Sequence, residues 1–285
     1  MKIIDCPRDA MQGVEDFIDT ELKIEYINKI LAVGFDTVDF GSFVSPKAIP
    51  QMKDTETVLD ELDLTISNTS LLAIIANARG AEKAMKYEEI EYLGYPFSVS
   101  ETFQRRNTNS SIEESLQIVE NIQSLTYRKN KELVVYLSMA FGNPYDDEYS
   151  PEIVAEWFEK MAQLGVEKIN LSDTIGSATP ELITDLFNTL IPAFPNVEIG
   201  AHFHTTPDTW EEKVDAAYKA GCQRFDGAIK GYGGCPMAKD ELTGNMPTEK
   251  LIDYMSEKGE DLGLNLDAFG EAMEFANKVF GKSTE

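Results

Sequence analysis

Two histidines stand two residues apart in Gly200-Ala201-His202-Phe203-His204, and they are the only two in 285 residues. They close a stretch (197–204) patterned as a β-strand, where residues i and i+2 point to the same face about 6.5 Å apart along the chain. Two imidazoles held that way can share one metal ion. Histidines that merely lie close in a core or on a surface would give the same string, so further ligands must come from elsewhere. Asp9, in Pro7-Arg8-Asp9, and Asn245, in Thr243-Gly244-Asn245, are candidates, although aspartate in a loop and asparagine after glycine are also ordinary turn chemistry. Imidazole nitrogens with carboxylate and amide oxygens form a mixed, oxygen-rich set with room for water or substrate. Such a set suits Mg²⁺ or Mn²⁺ in an octahedral shell better than structural Zn²⁺, which favours closed tetrahedral sites.

A second candidate group lies around Cys235, in Gly231-Tyr232-Gly233-Gly234-Cys235-Pro236. The three glycines around it, all on its amino-terminal side, allow the backbone to move and to approach a ligand closely. A thiol there can serve as general acid or base if its pKa is lowered; the alternative is a small buried side chain, the usual fate of a free cysteine. Arg8, beside Asp9, can stabilise an oxyanion or simply pair with a carboxylate. Cys6 and Cys222 read as structural.

These residues need a scaffold that brings distant segments together. Apolar runs alternate with amphipathic segments along the chain: strands at 2–5, 37–40, 66–76, 91–98, 133–140, 167–171, 197–204 and 224–229, with helical spacing between them. Ser111 with Glu114 has the pattern of a capping box, and Ser150-Pro151 places proline in a first turn. Eight strands alternating with helices is the count of a (β/α)8 TIM barrel, an α/β fold, with extra helices at the carboxyl end. A doubly wound open sheet is the runner-up, but no GxGxxG follows the first strand. No linker, repeat or low-complexity tract interrupts the chain, so one catalytic domain over 1–285 is expected, the last helices (about 248–285) packing on or near the barrel. A barrel collects its chemistry at the carboxyl ends of the strands. The polar clusters fall there: Arg8-Asp9, Asp39 with Ser42, Ser172-Asp173-Thr174, the histidine pair and the 231–245 loop.

Fifty acidic residues against 25 basic ones give a formal net charge of −25. That field repels phosphate backbones and anionic membranes, so neither nucleic acid nor membrane is expected as a partner. An anionic substrate would need a local cation. The chain opens directly on a strand, without a signal sequence or an apolar run of about 18 residues, and its three cysteines are an odd number with no CxxC spacing. A soluble protein of the reducing cytoplasm is expected.

Asp5-Cys6-Pro7-Arg8-Asp9-Ala10-Met11-Gln12 resembles the signature that ends the first strand in the 3-hydroxy-3-methylglutaryl-CoA lyase family. Gly41-Ser42-Phe43-Val44-Ser45-Pro46-Lys47 with Pro50-Gln51-Met52 is similar to that family's second loop. Asn107-Thr108-Asn109-Ser110-Ser111-Ile112-Glu113-Glu114-Ser115, Leu171-Ser172-Asp173-Thr174-Ile175-Gly176, His202-Phe203-His204 and Gly233-Gly234-Cys235-Pro236 follow in order, so the resemblance runs from Asp5 to about Leu251. Motifs in this register point to the wider group of metal-dependent barrel lyases and acyl-CoA condensing enzymes, and the Gly-Gly-Cys-Pro loop to the lyase. The resemblance implies that Asp9, His202, His204 and Asn245 hold a divalent metal. It implies a catalytic set of Arg8 at the developing enolate, Cys235 as mobile-loop acid/base, Asp39 where the family has glutamate, and His202. Gln12, Ser42, Arg105, Arg106, Asn107 and Asp173 would contact an acyl-CoA substrate, the two arginines near the CoA entrance. The implied reaction splits 3-hydroxy-3-methylglutaryl-CoA into acetyl-CoA and acetoacetate.

The chain departs from the family at Thr205-Thr206-Pro207-Asp208, where Asp-Thr-Tyr-Gly is usual. Ala10 replaces glycine, and the Cys235-to-Asn245 loop is one residue longer than common. A related aldolase or Claisen-type condensing enzyme, acting on another acyl-CoA or 2-oxo acid, and a non-catalytic metal-binding relative are the competing readings. The assembly is open between a monomer and a homodimer.

Overall fold

The computed structural model describes residues 1–234 and 243–281. Strand β1 (Lys2–Asp5) leads into a short helix α1 (Pro7–Gln12), then α2 (Thr20–Leu31), β2 (Thr37–Ser42), a 3-10 turn (Pro50–Met52) and α3 (Thr55–Asp60). There follow β3 (Ser70–Ile74), α4 (Ala78–Ala84), β4 (Ile90–Ser98), α5 (Glu101–Thr108), α6 (Ile112–Lys129), β5 (Glu132–Ser138), α7 (Pro151–Gln163), β6 (Lys168–Asp173) and α8 (Pro180–Ala193). The chain continues with β7 (Glu198–Thr205), α9 (Trp210–Lys219), β8 (Arg224–Gly227), a 3-10 turn (Ile229–Gly231), β9 (Gly244–Asn245), α10 (Thr248–Glu257) and α11 (Leu266–Phe280). The first eight strands pair in parallel with their sequence neighbours, and β8 pairs back onto β1 (Lys2 opposite Arg224, Asp5 opposite Gly227). The sheet is therefore closed, a (β/α)8 TIM barrel. Helices start where side chains satisfy free backbone donors: the hydroxyls of Ser100, Ser111, Ser150 and Thr179 each accept from an N–H three residues on, and Ser111 with Glu114 completes a capping box.

Strand periodicity sorts the side chains. On β7, Ile199, Ala201 and Phe203 join the main core between sheet and helices, as do Ile169 and Leu171 on β6 and Phe225 on β8. Their alternates, Gly200, His202 and His204, with Asn170, Arg224 and Asp226, fall on the barrel's inner face. That interior is two-sided. Leu72, Ile74, Tyr92, Val134 and Tyr136, from β3 to β5, form their own apolar cluster. Opposite, Asn170 donates to Asp226 at 2.8 Å. Gly200 is required by this layer: a Cβ there would meet Asn170 Oδ1 at 2.3 Å and Arg224 Cδ at 3.0 Å. At the carboxyl-terminal end of the chain, α11 lies against α2, with the Tyr26 ring between Phe275 and Phe280 at 6.4 and 5.9 Å.

Local details differ from the sequence reading or add to it. The strand predicted over 66–76 is confined to Ser70–Ile74: before it, Asp63 Oδ1 and Ser67 Oγ accept the amides of Thr65 and Thr69 and divert the backbone from the ladder. Arg8 and Asp9, read as loop residues, sit on α1, which opens with Pro7. Asn107, Arg105 and Arg106 lie on α5. The eighth strand stops at Gly227, and the return segment adds the two-residue β9 antiparallel to β7.

The carboxyl end of β1 carries a buried acid. Asp5 is fully buried, accepts from Thr248 Oγ1 at 2.5 Å, and its other oxygen has no hydrogen-bond donor among the described residues. Burial pushes its pKa up to about 7. A folded-state pKa above the unfolded value of 3.8 means the native state binds the proton more tightly, so stability is lost as pH rises between those values. Asp5→Asn should accordingly stabilise the protein relative to wild type above pH 7, by on the order of a few kcal/mol, and make little difference near pH 4. Thermal unfolding of both proteins across that range checks it; equal pH dependence would contradict the assignment.

Candidate metal centre and active site

Three elements converge at the carboxyl end of the barrel. Strand β7 presents His202 and His204 inward, α1 brings Asp9 over the end of β1, and β9 sets Asn245 directly opposite His204 in the ladder. Asp9, His202 and His204 each offer a ligand atom within 4.8 Å of the others, and Asp9 Oδ2 lies 3.9 Å from His202 Nε2.

The outer contacts fix which nitrogens face that point. His202 Nδ1 is 3.1 Å from Asp226 Oδ2, and His204 Nδ1 is 2.8 Å from the Thr174 carbonyl oxygen. A carbonyl only accepts, so His204 carries its proton on Nδ1; the Asp226 carboxylate demands the same of His202. Both Nε2 lone pairs remain for a cation. Asn245 completes the set: its Nδ2 donates to the Tyr232 carbonyl at 2.9 Å, while its buried Oδ1 has no donor among the described residues. A buried amide oxygen left that way fits a cation ligand. Two imidazoles, a carboxylate and an amide oxygen suit a hard or borderline divalent ion with open positions, as the sequence indicated.

The electrostatics agree. Burial would raise Asp9, but Arg8, His202 and His204 together, with a hydrogen bond from Asn245, hold it below the usual carboxylate range. Burial works against a charge on His202, yet the Asp226 contact and Asp9 leave its pKa raised. His204 is depressed by burial and by its neighbour His202.

Arg8 is the hinge between this centre and the rest of the barrel. Its Nε and Nη2 face the Asp39 carboxylate at 3.0 and 2.5 Å, and its Nη1 reaches both Asp9 Oδ1 and Gln12 Oε1 at 2.9 Å. Gln12 Nε2 returns to Asp9 Oδ1 at 2.6 Å. Burial disfavours the guanidinium charge, but Asp39 and Asp9 more than restore it, so its pKa is raised. Asp39 is fully buried and pushed up to about 6 by burial, with Arg8 pulling against it. It serves as the partner of Arg8 and does not line the cavity.

That cavity, about 270 Å³, is walled on one side by Arg8, Asp9, Gln12, His202 and His204 and on the other by Val44, Ile49, Ile74, Ala76, Pro96 and Phe103. Of the residues expected to touch substrate, Gln12 and Asn107 line it. Ser42 is buried, its hydroxyl accepting from the Val44 amide at 3.2 Å. Asp173 is turned away: its carboxylate accepts from Lys213 at 2.6 Å and from the Ala178 amide at 3.1 Å. Arg105 pairs with Glu101 at 2.6 Å and Arg106 lies over the Tyr145 ring, both beyond the cavity wall. Cys235 lies outside the described residues. Its neighbour Gly234 lines the cavity, and Gly233 (φ +84°) is pressed so closely on α1 that a Cβ would come within 2.7 Å of the Asp9 carbonyl oxygen.

Sequence reasoning missed Asp226, Asn170, Lys213 and the Thr174 carbonyl. Arg224-Phe225-Asp226 does alternate polar and apolar, a signal that both charged residues face inward, but nothing in the chain says which histidine Asp226 would meet.

The HMGL-like family model matches residues 1–276 of this chain. The hydroxymethylglutaryl-CoA lyase of Bacillus subtilis is 32% identical over 276 residues, covering 97% of this chain and 91% of the relative. The crystal structure of a Bacillus subtilis HMG-CoA lyase superposes with a TM-score of 0.92 at 31% identity, over 98% of this chain and 93% of that one. An HMG-CoA lyase from Acinetobacter baumannii, solved with coenzyme A and 3-methylmalate, gives a TM-score of 0.90 at 29% identity, over 99% and 91% of the two chains.

If Asp226 orients His202, Asp226→Asn should weaken Mn²⁺ binding by about 10- to 100-fold while the barrel stays folded. Titrating Mn²⁺ against the variant, with circular dichroism as the fold control, measures this; unchanged affinity would leave Asp226 without that role.

Proposed function

The chain belongs to the HMGL-like family, and from that premise we propose that it is a divalent-metal-dependent carbon–carbon lyase that cleaves 3-hydroxy-3-methylglutaryl-CoA to acetyl-CoA and acetoacetate. The observation that carries this reading is the convergence of Asp9, His202 and His204 on one point beside Arg8, with Asn245 opposite His204 in the β7–β9 ladder. Mg²⁺ or Mn²⁺ held by these residues would supply Lewis acidity to the substrate's tertiary hydroxyl and carboxylate.

The remaining tasks fall to the chain's own groups. The tertiary hydroxyl gives its proton to water, while Asp9, kept anionic by Arg8 and the two histidines, stays a ligand and Asp226 keeps the His202 proton on Nδ1. The carbon–carbon bond then breaks, its electron pair passing to the thioester as an enolate while the alcohol carbon becomes the ketone of acetoacetate. Arg8 lines the cavity and faces that enolate. Most of its N–H groups are committed to Asp39, Asp9 and Gln12, so it is fixed in place before charge develops, which is the condition for stabilising a transition state. Cys235, which follows Gly233-Gly234 in the chain, is assigned the delivery of the proton that completes acetyl-CoA. The apolar wall from Val44 to Phe103 accepts the methyl and methylene groups. A cavity of about 270 Å³ is below the usual range for larger ligands, so it takes the acyl part and leaves the nucleotide at the rim, where Asn107 and α5 stand. Arg105 and Arg106 are the cations nearest that entrance on α5, and we assign them to the CoA phosphates.

The direct test is acetoacetate release from 3-hydroxy-3-methylglutaryl-CoA with added Mg²⁺ or Mn²⁺, set against acetyl-CoA consumption with a panel of 2-oxo acids. Release in the first assay alone is expected. Cys235→Ala should lower turnover by about 10²- to 10⁴-fold with Mn²⁺ affinity unchanged. Arg8→Gln should cost about 10²- to 10³-fold and also weaken the metal modestly, since Arg8 holds Asp9. Full turnover in either variant would remove the role assigned to it, and condensation without cleavage would replace the lyase reading.

A further inference from the structure

Lys213 lies on α9 and is 1% exposed. Its ammonium makes three hydrogen bonds, to Asp173 Oδ2 at 2.6 Å, the His204 carbonyl at 2.9 Å and the Gly176 carbonyl at 3.0 Å. An ammonium has three donors, so none is left over. The acceptors belong to the end of β6, the loop after it and the end of β7. The same loop carries the Thr174 carbonyl that takes His204 Nδ1–H, and the Thr174 hydroxyl accepts from the Met139 amide at 2.9 Å. His204 is thus gripped twice by one loop: its ring through Thr174, its backbone through Lys213. Thr205, which follows His204, has no charge with which to do this.

An ammonium is costly to bury, and a shape-matched apolar side chain often serves stability as well. What an apolar side chain cannot do is hold a carbonyl. We propose that Lys213 is a positioning residue of the metal centre, setting the depth and orientation of His204 by tying its carbonyl to the 173–176 loop. This rests on the reading of His204 as a metal ligand.

The experiment is a Mn²⁺ titration of the metal-free chain, following the free-ion EPR signal well below each protein's unfolding temperature. Wild type is compared with Lys213→Met, with the charge-neutral double variant Lys213→Met/Asp173→Asn, and with His204→Ala. Both Lys213 variants should bind Mn²⁺ about 10- to 100-fold more weakly, with kcat reduced and KM much less changed. Lys213 variants that lose thermal stability yet keep wild-type Mn²⁺ affinity would overturn the proposal and make Lys213 a purely structural ion. Wild-type affinity in His204→Ala would instead overturn the ligand reading beneath it. Should the variants fail to fold, the intact protein still decides: the slowly exchanging Nζ resonance of Lys213, observed by ¹⁵N NMR, should shift on saturation with Mg²⁺, and an unmoved signal would refute the coupling.

Discussion

The buried ion cluster around Arg8 is the interaction on which the site depends. Three charged groups, Arg8, Asp9 and Asp39, lie at or near the core side of the cavity, each less than a tenth exposed. Taken singly, each would lose more in desolvation than a buried protein site returns. Together they are held ionised: Asp39 grips the guanidinium on one edge, and the opposite edge grips Asp9 and Gln12. Asp9 is thereby kept anionic and aimed before any cation arrives. The same arrangement fixes Arg8, so in the proposed function one cluster would prepare both the metal ligand and the electrostatic stabiliser. Aspartate at position 39 is long enough for this cluster, because it reaches Arg8 at hydrogen-bonding distance.

A second constraint is the asymmetry of the barrel interior. The apolar cluster from β3 to β5 and the polar layer from β6 to β8 divide the interior below the cavity. The hydrogen-bonded half backs the histidines and holds their rings; the apolar half supports the apolar wall of the cavity. Catalytic geometry here is a consequence of which strands carry polar residues on alternate positions.

The net charge of −25 sets the terms for an anionic acyl-CoA. Long-range attraction cannot bring it in, so in the proposed function its charge would be met locally, by a divalent ion held at Asp9, His202 and His204 and by Arg105 and Arg106 on α5. Among the described residues, no helix is long and apolar enough to cross a membrane.

The sequence by itself determined the architecture and the inward set. Strand alternation put His202 and His204 on one face, capping serines marked helix starts, and eight strand–helix units implied closure, because these are local consequences of backbone periodicity and hydrogen bonding. Asp9, Arg8 and Asn245 were legible as candidates because their residue types suit a cation or an oxyanion and their places fall at strand ends. Only the tertiary structure decided the supporting contacts. Asp226 meets His202 across 24 residues of chain, Lys213 reaches back to Asp173, and the acceptor of the His204 Nδ1–H is the Thr174 backbone carbonyl, which no residue type announces. Such contacts depend on the register between adjacent strands and on loop geometry. It was likewise register, with β9 laid antiparallel on β7, that set Asn245 opposite His204 and turned two plausible metal ligands, one of them indistinguishable in sequence from a turn asparagine, into neighbours in a single site.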